Sequence, residues 1–359
     1  MIEFLIFLAI LSVCVFVHEG GHFIMAKRAG MQVDEFGFGF PPRVIGKKIG
    51  DTIYSLNMIP LGGFVRIYGE DGKGTEDKKS FSGQGAWPKT KVIMAGVLMN
   101  VVLAFVLLSF ANFAGMRTTL DAEMALSASD VKVQILGIAP GSPAENANLM
   151  LLDEITGLKA GKDEVAPKTT EDVQNFITSH KDTEIGFTLM RGGEVKEISV
   201  VSRETPPEGE GPVGIALDTT GIIRYPFFQS IWRALLMTKN LIIAVVMGLV
   251  EFFRLLFVET RLSKDVAGPV GIYFLTRQLV QLGLGTLLAF AAQISVALAV
   301  LNALPIVPLD GGRQLLILIE KIRGRALSMK VQNSMALAGW VLLLLLIIFV
   351  TKQDIRRFF

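Results

Sequence analysis

The sequence predicts a polytopic α-helical membrane protein that also carries a small αβ domain. Of the 359 residues, 51% are apolar and only 19% are charged, which is less charge than soluble domains usually have. The apolar residues are concentrated in long runs, and a run of about 20 residues is enough to cross the hydrocarbon layer. We therefore predict four transmembrane helices, at about 4–26, 92–114, 286–305 and 335–350.

Composition and residue counts exclude several classes of protein. The net charge is +2 and no basic cluster is interleaved with aromatic residues, so the chain is not expected to bind nucleic acid. A single cysteine, Cys14, rules out an intramolecular disulfide framework. The only histidines are His18, His22 and His180, which limits the choice of metal ligands.

The charges of the loops predict the orientation of the spans, because cytoplasmic loops are enriched in Lys and Arg. Residues 27–91 hold 11 Lys/Arg against 7 acids, and residues 311–332 hold 5 against one. Residues 115–226 hold 10 Lys/Arg against 18 acids. We therefore expect the two basic loops in the cytoplasm and the acidic segment outside. With this parity, a fifth apolar run at 227–257 is favoured as an amphipathic interfacial helix over a further span.

These features divide the chain into four parts. An N-terminal membrane part covers residues 1–114 and encloses a β-rich region at 33–68. The small αβ domain follows at 128–203, then a linker with the interfacial helix at 204–283 and a C-terminal membrane part at 284–359.

The β-rich region predicts a membrane-associated hairpin or small sheet. Tyr54, Leu56 and Met58 recur with the period of two that is typical of a strand. Pro41 and Pro42 would interrupt a helix here. The segment is unusually apolar for a cytoplasmic loop, and such backbone is tolerated near membrane depth only where it is buried in protein or lines a cavity.

The αβ domain carries structural signals and no catalytic grouping. Thr169 or Thr170 is expected to cap a helix that runs to Ile177. His180 is interpreted as a surface histidine. Three segments predict strands, of which the last two form a hairpin: 131–138, 184–190 and 194–200.

The sequence His-Glu-Gly-Gly-His at 18–22 predicts a metal site inside the first span. On a helix, His18 and His22 lie one turn apart on the same face, so both imidazoles can bind one zinc ion. Glu19 lies beside them and can accept a proton from a water molecule. Ionisable groups inside a membrane span are costly and usually functional.

Zinc in a catalytic site needs a third protein ligand and one open position. His180 is expected on the opposite side of the membrane, so a carboxylate must provide it. Asp310, in Leu-Asp-Gly-Gly, is expected at the depth of His22. Asn302 precedes the helix-breaking Pro305 and can line the same site.

Four motifs, in order along about 290 residues, resemble the site-2 protease family, most closely the bacterial RseP-type intramembrane zinc metalloproteases. The chain departs from the usual pattern at Val97, Ala297 and Val307. The motifs are His18–His22, then Gly96, Asn100 and Ala104, then Gly268–Ile272, then Asn302, Pro305 and Leu309–Gly312.

The resemblance implies regulated intramembrane proteolysis in a bacterial cytoplasmic (inner) membrane, with one Zn²⁺ as cofactor. It implies that 128–203 is a single extracytoplasmic PDZ domain that filters single-span substrates, such as anti-sigma factors or remnant signal peptides. Asn100 and Asn302 would position substrate or steady an oxyanion. The β-rich region would pair with the unwound substrate as an added strand, through Tyr54, Leu56, Met58, Gly62 and Gly63.

Two other functions fit parts of the sequence. A catalytically inactive membrane PDZ scaffold would bind single-span proteins without cleaving them, and the intact His18, Glu19, His22 and Asp310 argue against it. A zinc transporter would be expected to show internal repeats, and none is found here.

Overall fold

The computed structural model describes residues 2–72, 74–121, 124, 126–258, 268–280, 282–325 and 327–358. The chain forms two compact units. The first comprises Met1–Phe110, Phe228–Arg277 and Leu287–Phe359, and the second comprises Ala111–Phe227 and Gln278–Thr286.

The described helices and strands are as follows in chain order. The helices are α1 (Ile2–Arg28), α2 (Ala86–Ala114), α3 (Pro143–Asn146), α4 (Thr170–Ser179), α5 (Phe227–Val258), α6 (Pro269–Val280), α7 (Leu284–Asn302), α8 (Asp310–Arg323) and α9 (Met329–Phe358). The strands are β1 (Val33–Ile49), β2 (Thr52–Ile67), β3 (Met116–Thr119), β4 (Ser129–Ile138), β5 (Glu154–Ala160), β6 (Asp163–Val165), β7 (Glu184–Arg191), β8 (Glu194–Val201) and β9 (Ile215–Ile223).

Within the described part of the chain, five helices are long and apolar enough to cross a membrane: α1, α2, α5, α7 and α9. Three of them, α1, α2 and α9, contain the predicted segments 4–26, 92–114 and 335–350 in full. Helix α7 covers 286–302 of the predicted segment 286–305 and ends at Asn302, three residues before the helix-breaking Pro305. The fifth, α5, carries Arg233 and Lys239 near its start and Glu251 and Arg254 near its end. Its uncharged stretch of 11 residues measures about 16 Å of helix, roughly half the thickness of the hydrocarbon layer.

Strands β1 and β2 fold back on themselves to give a sheet of four segments. Residues 33–40 pair with 59–67 on one side and with 53–56 on the other. The segment 43–49 pairs with 52–57 on the far side. The order across the sheet is therefore 59–67, 33–40, 52–57 and 43–49, with the first and last segments at its edges.

The 59–67 edge of this sheet lies against α1. Ser12 Oγ in α1 donates a hydrogen bond to the Pro60 carbonyl at 2.6 Å. A Cβ at Gly62, whose φ is +80°, would lie 2.6 Å from Val15 of α1. A Cβ at Gly63 would lie 3.1 Å from the ring of Phe16. The two glycines thus let the strand backbone approach the helix that carries the histidines.

The second unit is built on a seven-stranded sheet with the order β3-β9-β4-β5-β7-β8, to which β6 adds through β5. Strand β9 belongs to this sheet although it follows the predicted range 128–203. Thr169 caps α4 as predicted, in a capping box with Asp172. The core side chains are fully buried, among them Ile135, Leu158, Ile185, Phe187 and Leu189.

Candidate active site

Helix α1 brings three polar side chains to one place inside the first unit. His18 and His22 are both buried, at 6% and 8% exposure, and their rings lie at right angles with centroids 4.7 Å apart. Their Nε2 atoms are 3.1 Å apart. Glu19 lines the same cavity. The helical spacing of the motif therefore produces the paired imidazoles expected from the sequence.

Asp310, the first residue of α8, completes the cluster. Its Oδ2 lies 2.9 Å from His18 Nε2 and 3.2 Å from His22 Nε2. These three residues are the only group in the described part of the chain that is placed to hold a metal ion. Residues 288 positions apart in the sequence thus converge on one point.

The short connection between α7 and α8 places Asp310 through close backbone packing. A Cβ at Gly311 would lie 2.2 Å from the Ala303 carbonyl oxygen, and one at Gly312 would lie 2.3 Å from the amide nitrogen of Val307. Real Cβ atoms are not found that close, so both positions require glycine. The Gly-Gly after Asp310 therefore folds the connection tightly under the first turn of α8.

The three ligand atoms fit a zinc ion. With metal–ligand distances of about 2.0–2.1 Å, tetrahedral ligand atoms lie about 3.3 Å apart, close to the observed 2.9, 3.1 and 3.2 Å. His22 Nδ1 lies 2.8 Å from the Val92 carbonyl oxygen and donates to it. Its Nε2 then carries a lone pair that faces the carboxylate of Asp310. Lone pairs gathered in this way repel one another unless a cation lies between them.

Helix α2 leaves room for the two imidazoles at Gly96. A Cβ there would lie 2.5 Å from both Cε1 and Nε2 of His22, and 2.8 Å from Cε1 of His18. Any other residue would occupy the space that the histidine rings fill. The second-span glycine is therefore part of the cradle for the metal ligands.

Asn100, one turn further along α2, contacts the other side of His18. Its side-chain amide lies 3.5 Å from His18 Nδ1, and its Oδ1 is buried without a hydrogen-bond partner. The orientation of an Asn amide is assigned from its hydrogen bonds. When the Asn100 amide is rotated by 180°, its Oδ1 accepts a hydrogen bond from His18 Nδ1–H. His18 Nε2 is then free to bind a metal ion. Asn100 therefore contacts a candidate metal ligand and orients its imidazole ring.

Glu19 contacts the edge of the four-segment sheet. Its Oε2 accepts a hydrogen bond from the amide N–H of Val65 at 3.2 Å. This is the one hydrogen bond that the carboxylate accepts from the described residues. Val65 was not singled out by the sequence, because a backbone donor leaves no mark in the residue types.

The cluster opens into a cavity of about 860 Å³ with mainly apolar walls. Asn302 lines it, and its side chain makes no hydrogen bond with the described residues. Gly63 and Val65 contribute the sheet edge. Apolar side chains from two long helices close the remaining sides, among them Leu249, Phe252 and Phe253 of α5 and Trp340, Leu343 and Ile347 of α9.

The structure separates the residues that the sequence suggested for strand pairing. Gly63 lies on the 59–67 edge and lines the cavity. Tyr54 and Leu56 lie on the inner segment 52–57, where the backbone is already paired with neighbours on both sides. Met58 and Gly62 do not line the cavity. Only the outer segment therefore offers a free edge beside Glu19.

Comparison with known proteins gives a consistent result across the chain. The family model of peptidase family M50 matches residues 6–346. A provisionally named zinc metalloprotease of Clostridium perfringens is 32% identical over 347 residues, which cover 96% of each chain. The zinc metalloproteases RasP of Shouchella clausii and Bacillus licheniformis are 28% and 27% identical, with 98% or more of every chain covered.

Proposed function

The chain belongs to peptidase family M50, and on that premise we propose that it is an intramembrane zinc metalloprotease that hydrolyses peptide bonds within transmembrane segments of single-span proteins. The observation that carries this proposal is the convergence of His18, His22 and Asp310 within 3.2 Å of one another. The two histidines lie in the apolar helix α1, which supports a substrate that is itself embedded in the membrane.

His18, His22 and Asp310 would hold the metal ion, with Asn100 and Gly96 positioning the imidazoles. When bound, zinc supplies a Lewis acid for the scissile carbonyl and makes water a nucleophile near neutral pH. Glu19 accepts the proton of the attacking water and passes it to the leaving amine. The unpaired amide of Asn302 donates a hydrogen bond to the substrate backbone or to the developing oxyanion.

The hydrogen bonds of a helix favour an extended substrate at the site over a helical one. A transmembrane helix satisfies its amide groups with its own backbone carbonyls, so a substrate segment must unwind before one of its peptide bonds can be attacked. Its backbone then needs new hydrogen-bond partners. The free edge at 63–67 can provide them by strand addition.

The charges of the loops support a four-span topology with α5 in the outer interface and the second unit outside the cytoplasm. A fifth span is the alternative for α5, because this helix is long and apolar enough to cross a membrane and packs against the middle of α2 and α7. In the four-span arrangement residues 128–203 form a single PDZ domain that admits substrates already trimmed outside. Anti-sigma factors and remnant signal peptides in a bacterial cytoplasmic membrane are substrates of this kind.

The proposal is tested with the purified full chain and a single-span reporter substrate. We expect about one zinc per chain, loss of that zinc in Asp310→Ala, and loss of cleavage with zinc retained in Glu19→Gln. Removal of the general base typically costs on the order of a hundredfold to ten-thousandfold in rate. Cleavage by Glu19→Gln at the native rate contradicts the proposed chemistry. Zinc binding without any cleavage of the reporter supports the scaffold alternative.

A further inference from the structure

We propose that the amide N–H of Val65 holds the carboxylate of Glu19 until a substrate strand displaces it. In this mechanism, which rests on the proposed function, the hydrogen-bond donor that engages the general base is also one that receives the substrate backbone. When the substrate strand pairs in register with the sheet edge, it displaces Glu19 from the Val65 N–H in the same step.

The pairing of the sheet shows that this N–H belongs to the free edge. Between 63 and 66 the edge segment pairs one to one with residues 35–38, without a bulge. Successive residues of such a strand direct their backbone groups alternately to the two sides. Since Val65 N–H reaches Glu19, Gly63 directs its N–H and C=O to the same side, away from 33–40.

A substrate strand added at this edge needs the same donor. Strand addition pairs the outward N–H groups of the edge with carbonyl groups of the incoming chain. Gly63 and Val65 are the outward donors beside the cavity. The Val65 donor is occupied by Glu19 at 3.2 Å, so the substrate carbonyl must take the place of the carboxylate.

The consequence for Glu19 is a change of partner at the moment of binding. The carboxylate accepts no other hydrogen bond from the described residues, so displacement frees Oε2, the oxygen that Val65 held, and leaves both oxygens available to a water molecule. A substrate that is out of register, or too short to reach Val65, leaves the base engaged. The exchange also lowers substrate affinity, because a bond to a charged acceptor is stronger than one to a neutral carbonyl.

Binding measurements on the metal-free protein separate this mechanism from a permanent positioning role. The full chain is kept in chelator so that no variant cleaves, and the affinity of a labelled single-span peptide is measured for the wild type, Glu19→Ala and Glu19→Gln. We expect Glu19→Ala to bind about three- to thirtyfold more tightly than the wild type, because the donor is released. We expect Glu19→Gln, which keeps a weaker neutral acceptor, to lie between the two.

Two further variants make the result specific to Val65. Asp310→Ala removes another carboxylate from the same cavity without touching Val65, and we expect no comparable tightening. Val65→Pro removes the N–H at an edge position, where proline is tolerated, and in that background Glu19→Ala should tighten binding no further.

Equal affinities of the wild type and Glu19→Ala, or equal tightening by Asp310→Ala, overturn the mechanism, even if Val65→Pro does not fold. In that case zinc binding and cleavage by the wild type still support the proposed function. If the wild type neither binds zinc nor cleaves the reporter, the proposed function itself is wrong.

Discussion

Two aspartates with little exposure, one in each unit, show how differently the two regions use charge. Asp153 in the second unit is 1% exposed and forms an ion pair with Arg191. Arg191 donates two hydrogen bonds to its carboxylate, at 2.7 and 2.6 Å. The Met150 amide N–H donates a third at 2.9 Å. Asp310 in the first unit is 13% exposed, and its close charged partners among the described residues are His18 and His22.

The difference shows how a carboxylate that stabilises the fold is distinguished from one that binds a ligand. A buried carboxylate is costly unless its charge and hydrogen bonds are satisfied. Asp153 is satisfied within the fold, so it stabilises β5 against β7. Asp310 is satisfied only when a cation joins it and the two imidazoles. One unit is therefore complete as a folded chain, and the other is completed by a ligand.

Among the variants that test this comparison, the largest effect is expected from filling the space beside the histidines. In Gly96→Ala the new methyl would lie 2.5 Å from His22 and 2.8 Å from His18, so both rings must move. A displacement approaching 1 Å costs on the order of a hundredfold in activity, and zinc affinity should fall with it. Zinc content after dialysis and cleavage of the single-span reporter measure the two effects.

Gly20 supplies the matched control, since it lies in the same motif and a Cβ there meets nothing within 4 Å. Gly20→Ala should keep both zinc and activity. Gly21 is different, because its Cβ would lie 2.4 Å from the Ala95 carbonyl oxygen. If Gly96→Ala retains native zinc affinity, the cradle described for α2 does not exist.

A smaller effect, confined to the other unit, is expected from Asp153→Ala. Asp153→Ala leaves Arg191 without its carboxylate and should cost less than the about 3–5 kcal/mol of a fully buried pair, because Arg191 is 24% exposed. Hydrogen exchange of β5 and β7 in the full chain should rise sharply, while zinc content stays unchanged.

The exposed pair of Glu194 and Lys196, 2.7 Å apart, is the control for this prediction. Glu194→Gln should cost less than about 1 kcal/mol, as surface pairs do. Loss of zinc in Asp153→Ala would break the comparison, because it would make metal binding depend on the second unit.

The site could be predicted from the sequence to the extent that its chemistry lies in side chains at fixed spacing. His18 and His22 are one helical turn apart, and Asp310 follows a helix break at a depth set by parity. The roles of Gly96 and Val65 could not be predicted in this way. Gly96 belongs to the second-span motif, but it acts through the space that a missing side chain leaves for the histidines, and Val65 acts through a backbone N–H. Neither contact follows from residue type.

The positions of individual helices and strands could be predicted more readily than the pairing of strands within each sheet. Periodicity of two locates the strand at Tyr54 and Leu56 but does not tell an inner strand from an edge strand. That distinction depends on contacts between segments far apart in sequence, such as 33–40 with 59–67. The addition of β9 to the second sheet is a long-range pairing of the same kind.

The smallest expected effect is a pH dependence at His180 in the second unit. The Phe176 carbonyl, 2.9 Å from Nδ1 at the end of α4, and then Asp163, 3.1 Å from Nε2, raise the pKa of His180 above its usual 6.5. The protonated ring donates to both groups. Because the folded-state pKa is the higher one, this stabilisation is fully present below about pH 6.5 and is lost as the pH rises through the raised value.

Hydrogen exchange in the full chain measures this effect at the end of α4 and in β6. Protection, corrected for intrinsic exchange, should decrease from pH 6 to pH 8 in the wild type. In His180→Gln it should stay flat over the same range, since the variant carries no titrating group there. Parallel pH profiles in the two proteins would assign the stabilisation to neighbouring groups, whereas a flat profile confined to the variant ties it to the two hydrogen bonds of His180.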